Sequence, residues 1–205
     1  MSIVDKVIRP EILAMHAYPV ADATGLVKLD LMESPYGLPP ELAAEIGKIV
    51  SQLSLNRYPV PSAQKLRELI KEVMQVPAGC EVLLGNGSDE CIQYITATGA
   101  REGAVVMAPS PSFAMFSQYA FFFRVRFAGQ PLRDDFTLDA EAFLAAMAKE
   151  KPALVWIAYP NNPSANAFPV PDIERILRAA PGLVVIDEAY QPFAGGTFMP
   201  RLAEF

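Results

Sequence analysis

Two hydrophobic periods alternate along the second half of this chain. Short apolar runs at 81–84, 104–108, 124–128, 153–158 and 183–186 have strand length and are bounded by turn residues. Between them, 89–98, 112–122, 139–149 and 171–179 repeat apolar residues at helical spacing. Strands that alternate with helices of this length predict an α/β fold, a mostly parallel sheet with helices on both faces. The first 80 residues read differently. A short helix is expected over 4–15, with Pro10 near its start or kinking it, and a short strand over 28–33 running into Pro35-Tyr36-Gly37. Pro39-Pro40 then opens a helix whose apolar stripe is Leu42, Ile46, Ile49, Val50 and Leu53. After the break at Arg57-Tyr58-Pro59, Ser62 is a candidate N-cap for a second amphipathic helix with Leu66, Leu69, Ile70 and Val73 inside.

Composition narrows the function classes. The chain has 205 residues, 52% of them hydrophobic, enough for a large core, and no apolar run approaches the roughly 18 residues of a membrane span. A net charge of −6 argues against a nucleic-acid partner, whose phosphates need cations. Cys80 and Cys91 form no CxxC pair, and the N-terminus lacks the basic start and apolar core of a signal peptide, so a cytoplasmic location is expected. His16 is the only histidine, which removes histidine metal clusters and Ser-His or Cys-His catalysis.

Candidate chemistry collects where strands end. Asp187 follows the run 183–186, and Asn162 follows 153–158 within Tyr159-Pro160-Asn161-Asn162-Pro163-Ser164. Open α/β sheets bind ligands at the carboxyl ends of their strands, so both side chains are placed to converge. Each alone is also compatible with an ordinary turn. Gly85-Asn86-Gly87-Ser88, between a strand and a helix, offers free amides at Ser88, Asp89 and Glu90 for an anion. It fits neither GxGxxG nor GxxxxGK[ST], which leaves dinucleotides and P-loop nucleotides unsupported. Phe113 can stack on a flat ring or simply belong to the core, and the Tyr190 hydroxyl can reach a ring oxygen. An anion cradle, an aromatic, an amide, a carboxylate and a phenol together suit a planar, phosphorylated, cationic heterocycle. Pyridoxal phosphate has that shape, and its ring nitrogen requires a carboxylate partner.

These residues resemble a family. Glu33-Ser34-Pro35-Tyr36-Gly37, Arg57-Tyr58-Pro59, Gly85-Asn86-Gly87-Ser88-Asp89-Glu90, Pro160-Asn161-Asn162-Pro163-Ser164 and Asp187-Glu188-Ala189-Tyr190 look like the ordered motifs of histidinol-phosphate aminotransferase. That family belongs to the class I/II, fold-type-I pyridoxal-phosphate enzymes. The resemblance implies that Ser88 and Asp89 hold the cofactor phosphate, that Phe113 stacks on the ring, and that Asn162, Asp187 and Tyr190 bind its polar edge. It implies that Tyr58 reaches the cofactor of the other subunit in a homodimer, and that Tyr36 and Glu33 lie near substrate. The implied reaction moves an amino group between histidinol phosphate, or an aromatic amino acid, and a 2-oxo acid such as 2-oxoglutarate, in histidine biosynthesis. Residues 1–60 would form an N-terminal arm with small-domain and dimer contacts, and 61–205 an incomplete large cofactor-binding domain. Met32, Ser34, Tyr159 and Ala165 depart from the usual motifs, and the first two put the identity of the amino donor in question.

The family's Schiff-base lysine follows its ring-nitrogen aspartate in a serine-rich loop, and none of Lys6, Lys28, Lys48, Lys65, Lys71, Lys149 and Lys151 has that context. The expectation is a fragment of a longer aminotransferase, inactive in transamination by itself. Other readings are a non-catalytic truncated subunit, a pyridoxal-phosphate decarboxylase or lyase on the same fold, and a generic nucleotide binder. The last leaves Asp187, Asn162 and Tyr190 without a role.

Overall fold

Four parallel strands carry the fold in the computed structural model, which describes residues 2–16, 22, 24–28 and 33–205. They are β1 (Val105–Ser110), β2 (Arg126–Pro131), β3 (Leu154–Ala158) and β4 (Leu183–Asp187), in the order β2-β1-β3-β4. The chain moves outward from β1 to β2, crosses back past β1 to β3, and continues to β4. The direction therefore reverses between β1 and β3. A doubly wound sheet opens a crevice at such a point, outside the carboxyl ends of its strands. The register pairs Ala158 with Asp187, and the Tyr159 N–H donates to the Asp187 carbonyl at 2.8 Å, so β3 and β4 end level.

Helices cover both faces, as the alternating pattern predicts. The helices among the described residues are α1 (Ile3–Val7), α2 (Pro10–Leu13), α3 (Pro40–Ser51), α4 (Gln64–Val73), α5 (Gly87–Gly99), α6 (Ala114–Phe122), α7 (Ala140–Glu150) and α8 (Val170–Ala179), and those that cover the sheet are α5 to α8. Successive strand residues point to opposite faces. Met107, Val155 and Ile157 pack with Phe143 and Met147 of α7 and Ile173 and Ile176 of α8. Val106, Ala108, Leu154, Trp156 and Ala158 pack on the other face with Ile92 of α5 and Phe116 and Ala120 of α6. Phe116 and Trp156 stack with centroids 4.9 Å apart and planes 11° from parallel. The β3–β4 junction admits little change. A Cβ on Gly182 would lie 2.4 Å from the Ala153 carbonyl oxygen, so a side chain there would push the two strands apart.

The described residues divide into two compact units, 1–53 and 54–205. Within the first, a capping box joins Ser2 and Asp5, and the expected single helix over 4–15 is two short ones. Pro10 has no N–H to continue the first helix and instead opens the second at its first position. The strand expected over 28–33 falls largely on residues outside those described.

Three other expectations need correction. Ser62 does not cap α4: the N-cap is Ala63, left-handed at φ 41°, with no side-chain cap bond. The run 81–84 is not a strand, because strand pattern without a ladder partner leaves only an extended segment, and Leu83 is exposed there. Strand β2 starts two residues later than expected because Arg124 is left-handed, at φ 58°, in the turn after α6.

Candidate functional site

The anion cradle starts from Gly87, whose φ of +76° turns the chain into α5. Two of the amides at this turn are used: Gly87 donates to the Gly85 carbonyl at 3.0 Å, and Asn86 donates to Glu90 Oε2 at 2.6 Å. That bond, followed by one from the Tyr94 hydroxyl, holds the Glu90 carboxyl below the usual range. The next two amides, of Ser88 and Asp89, meet no acceptor among the described residues. Unpaired N–H groups at the positive end of a 13-residue helix attract an oxyanion.

Asp187 ends β4 beside this turn. Its Oδ1 accepts the Ala189 N–H at 3.0 Å, so it does cap a turn, but among the described residues no cation pairs with it. Burial pushes its carboxyl above the usual aspartate range. The Ala189 bond opposes that rise, and the charge of Asp89 adds to it. A buried carboxylate of this kind favours a proton or a positively charged partner.

The loops after β1 and β3 complete the surroundings. Phe113, the N-cap residue of α6, meets Phe116 edge to face at 5.8 Å. Asn161 is fully buried, and every polar group it has is paired. Its Oδ1 accepts the Ser112 hydroxyl at 2.8 Å, and its Nδ2 donates to the Pro111 carbonyl at 3.1 Å and to Ser164 Oγ at 2.7 Å. Its backbone N–H donates to the Asn166 carbonyl at 2.9 Å, and its own carbonyl accepts the Ala165 N–H at 2.8 Å. Removing the side-chain amide would strip partners from the half-buried Ser112 and Ser164 hydroxyls and from the Pro111 carbonyl, and a group left unpaired away from water costs about 1–3 kcal/mol.

These elements meet in one recess, lined by Ser88, Phe113, Asn162, Asp187 and Tyr190 with Ala158, Pro160 and Ala189. Five positions singled out in the sequence thus converge. Asp89 does not line the recess, although its charge acts on Asp187. Tyr58 is fully exposed. In the first unit Tyr36 is exposed and Glu33 is paired with Lys28 at 2.8 Å. Sequence reasoning passed over Asn161 and the small residues. Ala158 sits at the last β3 position, where a larger side chain would fill the floor, and only its place at a strand end could have signalled this. A wider apolar groove runs along the open edge of β4, but its charged members, Glu188 and Arg201, are engaged with Thr197 and Glu174.

An unpaired carboxylate, two free amides at a helix start and an aromatic edge suit a phosphorylated cationic ring such as pyridoxal phosphate. The profile of the family Aminotransferase class I and II matches residues 24–204. The chain belongs to that family. It is 56% identical over 209 residues to histidinol-phosphate aminotransferase 2 of Cupriavidus pinatubonensis, covering all of this chain and 57% of that protein. It is 53% identical to histidinol-phosphate aminotransferase 1 of Ralstonia nicotianae, covering 98% of this chain and 55% of that one. The chain therefore spans somewhat more than half the length of these relatives. Among solved structures, histidinol-phosphate aminotransferase from Sinorhizobium meliloti, in complex with pyridoxal-5'-phosphate, superposes with a TM-score of 0.72 at 23% identity. It covers 90% of this chain and 51% of its own. The enzyme from Clostridium acetobutylicum gives 0.70 at 22% identity, covering 83% and 49%. Both bear out the α/β, fold-type-I architecture expected from the sequence.

Proposed function

We propose that this aminotransferase-family chain forms the pyridoxal-phosphate site of an enzyme that moves an amino group between histidinol phosphate and a 2-oxo acid such as 2-oxoglutarate, in histidine biosynthesis. The observation that carries the reading is the convergence of Ser88, Phe113, Asn162, Asp187 and Tyr190 on one recess at the carboxyl ends of parallel strands. The names of the Cupriavidus and Ralstonia relatives support the choice of amino donor.

Each residue has a role that follows from its chemistry. The Ser88 and Asp89 amides and the Ser88 hydroxyl bind the phosphate, aided by the helix dipole. Phe113 covers one face of the ring and keeps water from it. Asn162 donates, and the Tyr190 hydroxyl donates or accepts, at the ring oxygen. Asp187 holds a proton on the ring nitrogen by opposing charge, which in turn keeps Asp187 ionised despite its burial. When bound, the cofactor supplies an electron sink for the α-carbon of the amino donor. No lysine is among the residues lining the recess, so these 205 residues hold the cofactor by non-covalent contacts. Tyr58, on an exposed loop, is read as a contact to the cofactor of a second subunit in a homodimer, and Glu33 and Tyr36 as substrate-side residues. Residues 1–60 are read as arm and dimer contact, 61–205 as the large domain, and the location as cytoplasmic. No helix among the described residues is long and apolar enough to cross a membrane.

The test uses a chimera in which this chain is continued by the remaining residues of the Cupriavidus relative. Loaded with pyridoxal phosphate, it should form glutamate from 2-oxoglutarate with histidinol phosphate as donor. Turnover with aromatic amino acids only would reject the substrate, and failure of both the chimera and the chain to bind pyridoxal phosphate would reject the site.

A further inference from the structure

We infer that Asn161, rather than only its neighbour Asn162, sets the geometry of the recess, as a positioning residue that fastens the loop after β1 to the loop after β3. This rests on the cofactor-site reading above, which gives Asn161 no part. The two loops come from adjacent strands on either side of the point where the strand order reverses, and each contributes one wall. Phe113 follows Ser112 directly, and Asn162 follows Asn161 directly, so the side-chain pair Ser112–Asn161 sits one residue behind each wall.

The fastening has three parts. The Asn161 amide takes the Ser112 hydroxyl at 2.8 Å and gives one hydrogen to the Pro111 carbonyl at 3.1 Å, which are two bonds across to the β1 loop. Its second hydrogen goes to Ser164 Oγ at 2.7 Å within its own loop. Ser164 in turn donates to Asn166 Oδ1, and Asn166 Nδ2 donates to the Phe136 carbonyl at 3.0 Å, in the loop after β2. Loops from three strand ends are thus tied through one buried amide. Only a side chain with both a donor and an acceptor on one short stem can serve Ser112 and Pro111 together, which an aspartate or leucine of the same size cannot. Neither Ser112 nor Asn161 lines the recess, and Asn161 is fully buried with its polar groups paired within the protein. Asn161 therefore acts through the spacing of Phe113 and Asn162 and not by touching a ligand.

This predicts a split between two ligands. Inorganic phosphate needs only the Ser88 and Asp89 amides, whereas pyridoxal phosphate also needs the gap between the two loops. Isothermal titration of the protein with each, for wild type, Asn161→Asp, Asn161→Ala and Ser112→Ala, reads it directly. Both Asn161 variants should lose at least tenfold in affinity for pyridoxal phosphate, and Ser112→Ala, which cuts one of the two cross-loop bonds, about threefold. Phosphate affinity should stay within twofold throughout. Ser112→Ala keeps the test open if either Asn161 variant fails to fold. Unchanged pyridoxal-phosphate binding in the variants, or parallel loss of both ligands, overturns the role of Asn161 while leaving the site itself intact. A wild-type protein that binds phosphate but not pyridoxal phosphate overturns the site and this role with it.

Discussion

A carboxylate removed from water without a cation beside it prefers its neutral form. Asp187 is in that state, with burial and then the charge of Asp89 raising its pKa against the single Ala189 bond. The sign for stability follows. A folded pKa above the unfolded one favours the native state at low pH, and that contribution is lost as pH rises through the ordinary aspartate range and into the raised one. The contribution of Asp187 should therefore be greatest below the ordinary aspartate range, opposite in sign to that of Glu90, whose lowered pKa stabilises the fold above it. Asp187→Asn keeps an acceptor for Ala189 and removes the charge, so at neutral pH it should raise the melting temperature of the unliganded protein. The same change should weaken pyridoxal-phosphate binding by about tenfold or more, because a charge-assisted bond of about 1.5–3 kcal/mol is lost. Thermal unfolding across pH, with and without cofactor, checks both signs. A variant that is less stable without ligand, or that binds as well as wild type, would contradict the assignment.

At the scale of elements, the sheet sets where Asp187 and Asn162 stand, because their strands end level. Gly182→Ala introduces a Cβ 2.4 Å from the Ala153 carbonyl oxygen, and backbone cannot give way as a flexible side chain does. It should cost about 1–3 kcal/mol and weaken cofactor binding as β4 moves off β3, measured by chemical denaturation and titration. Phe116→Ala, which opens the face where α6 stacks on Trp156, should cost about 3–5 kcal/mol. The four paired strands and their helices were legible because buried parallel strands read as continuous apolar runs between turn signals. The run 81–84 carries the same signal, and pattern cannot report whether a partner strand exists. The convergence of Asp187 and Asn162 was legible from strand ends. Asn161 was not: beside Asn162 in one loop, nothing in sequence separates an asparagine turned toward the recess from one buried behind it with all its hydrogen bonds internal. Ser62 failed for a related reason, since a capping residue type says nothing about where the turn before α4 begins.

For the whole molecule, one reversal of strand order gathers five side chains from four separate stretches of the sequence, and an anion cradle at α5 lies in one recess with a carboxylate at β4. With no lysine lining the recess, pyridoxal phosphate bound there in the 205-residue chain should form no imine with the protein, and borohydride should fix cofactor only at exposed lysines, without saturating at one site. Absorbance and peptide mapping report this, and one of the seven lysines labelled stoichiometrically, at cofactor concentrations that saturate the recess, would mean that the recess differs from the one described. The most direct test of the central claim is a crystal structure of the chain grown with pyridoxal phosphate. The account predicts phosphate oxygens on the Ser88 and Asp89 amides, the ring against Phe113, and the ring nitrogen on Asp187. Cofactor bound elsewhere, or lying in the recess with its phosphate away from the start of α5, would contradict it.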